Sequence, residues 1–219
     1  MAINSILLLV IVILSPLAYY LYNFKFYNSL FVKNEVYETL DKSDVKMLTE
    51  NVYDYFKYKR DFETFELKGS IKFFNETEIR HLDDVRILLK KLLTVFYVSI
   101  ALFALLTILL IEKRLKLFLK NISLSALISS AVLIFLFILL YFLGNNFWAL
   151  FDRFHYIFFP QGNWAFPEGS LIITIFPFGF FYDFFFKLVT VSLVIAVVLL
   201  AGGIAGTATA NSKIKAKKF

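Results

Sequence analysis

Four stretches of this chain run apolar for about 20 residues each, the length an α-helix needs to cross the hydrocarbon core of a bilayer. They are Ile6 to about Tyr22, Leu92 to Ile111, Ile122 to Leu143, and Leu188 to Ala210. Lipid offers no hydrogen bonds to a bare backbone, so such runs must fold as helices that satisfy their own N–H and C=O groups. Of the 219 residues, 59% are hydrophobic and only 18% are charged. A soluble domain carries roughly a quarter charged residues, and a single core of this size could not bury the apolar excess. The excess faces lipid.

The first run contains Pro16, a point where the helix is expected to kink. Its start, MAINS, has no basic side chain, and no small-residue cleavage site follows. It therefore reads as a retained signal anchor rather than a cleaved signal peptide. In the last run Gly202, Gly203 and Gly206 offer a small-residue surface for close helix packing. The short loop Glu112 to Asn121 holds Lys113, Arg114, Lys116 and Lys120, and the tail holds Lys213, Lys215, Lys217 and Lys218. Both belong in the cytoplasm by the positive-inside rule, which places both termini inside and two segments outside. The net charge of +6 is scattered apart from that tail, which suits anionic membrane lipid and argues against a nucleic-acid partner. There is no cysteine, so disulfides, thiol nucleophiles and thiolate metal sites are excluded. Any catalysis must use oxygen or imidazole chemistry.

The expected fold is an all-α membrane protein, a four-helix transmembrane bundle with a small α+β extracytoplasmic cap. Residues 1–22 form the first transmembrane helix and 23–80 the cap. Within the cap, Ser43 is placed to cap a helix carrying Val45, Leu48, Val52, Tyr55 and Phe56 on one face. The run FETFELKGSIKFF, residues 62–74, alternates imperfectly and breaks at Gly69-Ser70, which reads as a two-stranded hairpin. Asn75-Glu76-Thr77 matches a glycosylation sequon, a signal common by chance. Residues 81–143 hold the second and third spans with the basic loop, and the second span has an amphipathic lead-in, His81 to Lys91. Residues 144–186 form an outer segment crowded with phenylalanine, tyrosine and tryptophan and broken by Pro160, Gly162, Pro167, Gly169, Pro177 and Gly179. The plain reading is an interfacial aromatic belt. The sharper one is a re-entrant or surface-lying segment enclosing a greasy cleft, because phenylalanine does not specially seek the interface. Residues 187–219 are the fourth span and the tail.

The chain has two histidines, and each falls in an outer segment rather than inside an apolar span. On a helix starting near His81, Asp84, Val85, Leu88 and Leu92 share its face, while Arg86 and Lys90 lie nearly opposite. Asp84 is thus placed to accept a hydrogen bond from the imidazole and raise its basicity. A histidine at a helix start is more often a capping or packing residue, and Arg86, Lys90 and Lys91 read most simply as snorkelling anchors. His155 sits among aromatics in FDRFHYIFF, flanked by Asp152 and Asp183 with Trp164 between them. It too has a plain reading, as an interface residue, but an ionisable group at a membrane is a functional hypothesis by default. There is no G-x-S-x-G elbow, H-E-x-x-H pair, P-loop or H-x-x-x-x-D motif. Two histidines with carboxylates could bind zinc, but no short ligand spacing supports a metal site.

At two strings the chain resembles the lipoprotein intramolecular transacylase family. The first is Phe74 to Val85, F-N-E-T-E-I-R-H-L-D-D-V. The second is Phe151 to Asp183, with F-D-R-F-H, the isolated Trp164 and L-I-I-T-I-F-P-F-G-F-F-Y-D. The order of spans and loops also agrees, so the resemblance covers nearly the whole chain. It implies an acyltransferase that acts on bacterial lipoproteins whose N-terminal cysteine carries a diacylglyceryl group. One acyl chain moves from the glyceryl ester to the α-amine, leaving an N-acylated lyso-form. It also implies two essential histidines, matching His81 and His155, with Glu78 and Asp84 at further motif positions and no cofactor. Asp152, Trp164 and Asp183 are expected as supporting residues. One assignment makes His81, oriented by Asp84, the general base and His155 the oxyanion or leaving-group partner. The reverse assignment and a transient acyl-histidine stand beside it. The competing functions are a non-enzymatic accessory protein binding lipids or lipoproteins, and a different transferase or hydrolase acting on a membrane lipid.

Overall fold

The computed structural model describes residues 1–59, 74–113 and 115–215. Every regular element among them is helical. In order these are α1 (Ala2–Tyr20), α2 (Phe24–Lys33), α3 (Val36–Thr39), α4 (Lys42–Phe56), α5 (Glu76–Lys113) and α6 (Leu115–Leu143). A 3₁₀ turn (Gly144–Asn146), α7 (Phe147–Phe158), α8 (Leu171–Ile175) and α9 (Phe178–Lys215) follow. Among the described residues four helices are long and apolar enough to cross a membrane, and they match the four runs read from the sequence, the first ending at Tyr20. The chain divides into two compact units.

The first unit comprises residues 1–18, 93–143 and 188–219, the apolar parts of α1, α5, α6 and α9. Large apolar side chains such as Leu105, Phe135 and Val198 are more than half exposed in it, which only lipid makes tolerable. Helix pairing there rests on small and hydroxyl-bearing residues, as expected where lipid tails remove the hydrophobic drive between helices. Buried Ser129 on α6 donates to the Ser5 carbonyl of α1 at 2.9 Å. A Cβ at Gly203 would lie 2.9 Å from Leu127 Cγ and 3.0 Å from the Ser123 carbonyl, and one at Gly206 would lie 2.2 Å from Ser123 Oγ. Gly203 and Gly206 therefore provide the close approach of α9 to α6, whereas Gly202 faces open space. Pro16 removes the N–H that the Val12 carbonyl would have received. That carbonyl is taken instead by the hydroxyls of Ser15 at 3.2 Å and Ser192 at 3.3 Å, so α1 passes through the proline with its polar groups satisfied.

The second unit comprises residues 19–92 and 144–187. The apolar faces of α2 (Tyr27, Leu30, Phe31) and α4 (Val45, Leu48, Val52, Tyr55) recur at helical spacing. They bury against Leu82 of α5, Leu171, Ile172 and Ile175 of α8, Phe176 just after it, and Phe180 at the start of α9. Phe31 stacks on Phe180 at 5.5 Å between ring centres. Gly179 lets α9 pass close to α2, since a Cβ there would lie 2.0 Å from Asn34 Oδ1.

Three expectations change. The α+β cap is not supported, because every regular element in the described part of the cap is a helix. The hairpin expected over residues 62–74 lies outside the described residues apart from Phe74, which is buried in the cap core. The expected face of α4 is present, but the cap position is Asp41, with no side-chain hydrogen bond, and Ser43 lies inside the helix. The aromatic segment is divided between roles. Phe147, Phe159, Phe176 and Phe180 are buried, Trp148 and Tyr156 are exposed, and the last membrane helix already begins at Phe178.

Candidate functional site

The site lies wholly within the second unit and starts from the N-terminus of α5. Asn75 precedes that helix, and its Oδ1 accepts from the backbone N–H groups of Thr77 at 2.9 Å and Glu78 at 3.0 Å. Glu78 Oε2 reaches back to the Asn75 N–H at 2.7 Å. This is a reciprocal capping box, with Asn at the cap and Glu three residues on. Its carboxylate does a second task, since Oε1 accepts from the Ile172 N–H at the start of α8 at 3.0 Å. Glu78 is 1% exposed. The N-x-x-E pattern could have been read from the sequence as a helix start; the tie to α8 could not.

One turn later, α5 presents His81, and α7 presents His155. Both are buried, and the rings are 6.0 Å apart between centres and inclined by only 26°. Phe159 packs edge-on against His81 at 4.9 Å and Phe166 does so at 5.5 Å. Phe151 lies 4.2 Å from His155 and Trp164 4.8 Å. The two nitrogen environments differ. His155 Nδ1 lies 2.7 Å from the Phe151 carbonyl. A carbonyl can only accept, so Nδ1 carries the proton, and in the neutral ring Nε2 holds the free lone pair. His81 Nδ1 is buried with no hydrogen-bond partner.

Both rings lie outside the apolar spans: His81 is in the stretch 76–91, which carries eight charged residues, and His155 is on α7. Burial is the main reason His81 is pushed down to about 4, helped by the neighbouring His155 and opposed by the charge of Asp84. Burial also lowers His155, opposed by its bond to Phe151 and by the charge of Asp152. A lowered folded-state pKa means that the unfolded chain binds more protons. The stability from the neutral rings is therefore complete above about pH 6.5; the His81 share is lost as pH falls towards 4, and the His155 share is also lost below its ordinary value. Nitrogen-15 NMR of the histidine-labelled protein should show two imidazoles, both with midpoints below 6.5 and His155 in the Nδ1–H form. A midpoint at or above 6.5 for either ring would contradict the burial argument.

Asp84 shares the His81 face, as expected, but it makes no hydrogen bond to that ring. Its Oδ2 accepts from Gln161 and, at 2.8 Å, from Asn163 Nδ2. The carboxylate acts on His81 through its charge and holds the loop after α7, which turns at Gly162 with φ 77°. That loop carries Trp164, whose ring also meets Tyr156 at 5.3 Å. Asp152 lies three residues before His155 and influences it by charge alone. Asp183 is not brought to the histidines; its carboxylate pairs with Lys33 at 2.5 Å and accepts from Asn34 Nδ2 at 3.1 Å. Arg86 is likewise more than a snorkelling anchor. Its guanidinium lies 3.9 Å from the Tyr55 ring centre and bonds Asp83 at 2.9 Å. Gln161 and Asn163 were not anticipated, and nothing in their local sequence marks them.

Comparison with known proteins follows the same lines. A family model described as lipoprotein intramolecular transacylase Lit matches residues 2–181. An uncharacterised protein of Aquifex aeolicus (strain VF5) is 26% identical over 153 residues, 68% of this chain and 65% of that protein. The match thus spans just under two thirds of that relative's length. The in meso structure of the membrane-integral lipoprotein intramolecular transacylase Lit from Bacillus cereus superposes with a TM-score of 0.72 at 21% identity. It covers 99% of this chain and 95% of that one. A variant of that protein with one histidine replaced by arginine gives 0.63 at 20% identity, covering 99% and 90%. The corresponding alanine variant gives 0.65 at 19%, covering 99% and 93%. At these identities the structural likeness speaks for the fold.

Proposed function

This chain belongs to the lipoprotein intramolecular transacylase family, and on that footing we propose that it moves an acyl chain within a diacylglyceryl-modified bacterial lipoprotein. The chain leaves the glyceryl ester for the α-amine of the N-terminal cysteine, giving the N-acylated lyso-form. The observation that carries this reading is the pair of buried imidazoles, 6.0 Å apart between ring centres and walled by aromatic rings. Amine and ester belong to one lipidated cysteine, so holding it folded makes the attack effectively unimolecular. The amine nitrogen bonds to the ester carbonyl carbon, the carbonyl carbon–glyceryl oxygen bond breaks, and one proton passes from nitrogen to the departing oxygen.

His155 is the better base for that proton. Its ring is oriented by the Phe151 carbonyl, its Nε2 lone pair is free, and Asp152 favours its charged form. A general base oriented in this way can take the amine proton and return it to the glyceryl oxygen as an acid. His81 stays neutral and offers one N–H and one lone pair to the reacting groups. This reverses the first assignment made from the sequence, because Asp84 is engaged with Gln161 and Asn163 rather than with His81. The aromatic walls suit acyl chains, and the reaction needs no cofactor.

Purified protein incubated with a diacylglyceryl lipopeptide, followed by mass spectrometry, tests the reading. Transfer leaves the mass unchanged and places an acyl chain on the N-terminus. Loss of an acyl chain would indicate a hydrolase, and an unmodified peptide would leave a binding protein.

The multi-pass chain is further proposed to sit in the cell membrane with both termini cytoplasmic and the histidines on the extracytoplasmic side, where lipoproteins are anchored. The basic short loop and tail support this orientation. A reporter fused after Phe219 should behave as cytoplasmic, and extracytoplasmic behaviour would invert the topology.

A further inference from the structure

Two neighbouring residues of the loop after α7 each hold a buried polar atom with no partner: Trp164 Nε1 and Asn163 Oδ1. They are opposite in character. An indole N–H can only donate. The Asn163 amide is oriented by Asp84, because the atom facing a carboxylate must be the nitrogen, at 2.8 Å. The amide oxygen on its other side is therefore an acceptor. Buried polar groups in folded proteins are nearly always paired, and leaving one unpaired is costly, so such groups call for an explanation.

The placement of these atoms is built. Asp84 clamps the loop through both Gln161 and Asn163. The Trp164 ring is held between His155 at 4.8 Å and Tyr156 at 5.3 Å. Neither unpaired atom has a role in the proton transfer assigned to the histidines.

We propose that this pair binds the two reacting groups: Trp164 Nε1–H donates to the ester carbonyl oxygen and to the oxyanion it becomes, and Asn163 Oδ1 accepts an N–H of the attacking amine. The assignment rests on the transacylase reading and completes its charge balance. When nitrogen bonds to the carbonyl carbon, negative charge collects on the carbonyl oxygen and positive charge on nitrogen. A fixed donor for the first and a fixed acceptor for the second stabilise that state more than the ground state, which is what accelerates a reaction. The proton then leaves nitrogen for His155 and the C–O bond to glycerol breaks, as above.

The test uses the full-length protein in detergent or vesicles with the diacylglyceryl lipopeptide. Trp164→Phe keeps an aromatic ring and removes the N–H. Replacing Trp164 by β-(3-benzothienyl)alanine keeps the indole shape and also removes the N–H, which covers the case where phenylalanine packs badly. Both should lower kcat by about 10²–10³-fold, the usual effect of losing one oxyanion donor, with KM changed by no more than about threefold. Trp148→Phe, the same change at the exposed tryptophan of α7, should leave kcat unaltered. For Asn163 the comparison is with Gln161→Ala, which loosens the same Asp84 clamp without touching Oδ1. Asn163→Ala should be slower than Gln161→Ala by about tenfold or more, an acceptor contact being of the order of a charge-assisted hydrogen bond. Failure of the unsubstituted protein to transfer would overturn the transacylase reading and this assignment together. Normal transfer with kcat of either Trp164 variant within about threefold of the parent would overturn the assignment alone. Equal losses in Asn163→Ala and Gln161→Ala would do the same for the amine contact.

Discussion

Alanine at either His81 or His155 is expected to abolish acyl transfer, and the double variant should be scarcely slower than the single ones. General-base assistance alone is worth roughly 10²–10⁴-fold. Groups that act as one unit lose activity non-additively, because the second loss finds nothing left to remove. Both histidines are buried among aromatic rings, so alanine leaves a void, and cavities in packed sites cost about 1–3 kcal/mol or more. Phenylalanine at each position is therefore the second variant: it keeps a ring of similar volume and removes the nitrogens. Inactive phenylalanine variants of normal thermal stability would attribute the loss to imidazole chemistry. Near-normal transfer by a well-expressed His155→Phe protein would return that residue to a packing role.

The four spans were legible because crossing lipid is a demand on length and composition alone, and Leu92 to Ile111 meets it without reference to any other part of the chain. The pairing of His81 with His155 was legible only as a coincidence of two rare residues in two outer segments; their geometry depends on how α5 and α7 pack. Asp84 shows where sequence reasoning stops. Helical periodicity placed it on the His81 face, yet its hydrogen bonds go to Gln161 and Asn163, 77 and 79 residues further along. No local rule states which partner a carboxylate will choose. Asp183 makes the same point, its carboxylate pairing with Lys33, 150 residues earlier in the chain. The aromatic segment shows a different limit. Its phenylalanines were read together because they adjoin in sequence, whereas the fold buries Phe176 and Phe180 in the cap core and leaves Trp148 and Tyr156 exposed.

Glu78→Ala is expected to unfold the N-terminal turn of α5 and detach α8 from it, at a cost of about 2–4 kcal/mol. The figure combines the loss of a helix cap, about 1 kcal/mol, with a buried backbone N–H left without its charged acceptor, about 1–3 kcal/mol. The two stranded donors are those of Asn75 and Ile172, at 2.7 Å and 3.0 Å from the carboxylate in the intact protein. Glu78→Gln is no conservative change here. Both carboxylate oxygens receive an N–H, so an amide in either orientation sets its NH₂ against a backbone donor. Glutamine should therefore recover only part of the stability. Thermal unfolding separates this role from a chemical one. A positioning residue loses melting temperature and activity together, since His81 stands on the turn that Glu78 caps. Full melting temperature with abolished transfer in Glu78→Ala would instead make the carboxylate a participant in proton transfer, despite being 1% exposed and bonded at both oxygens.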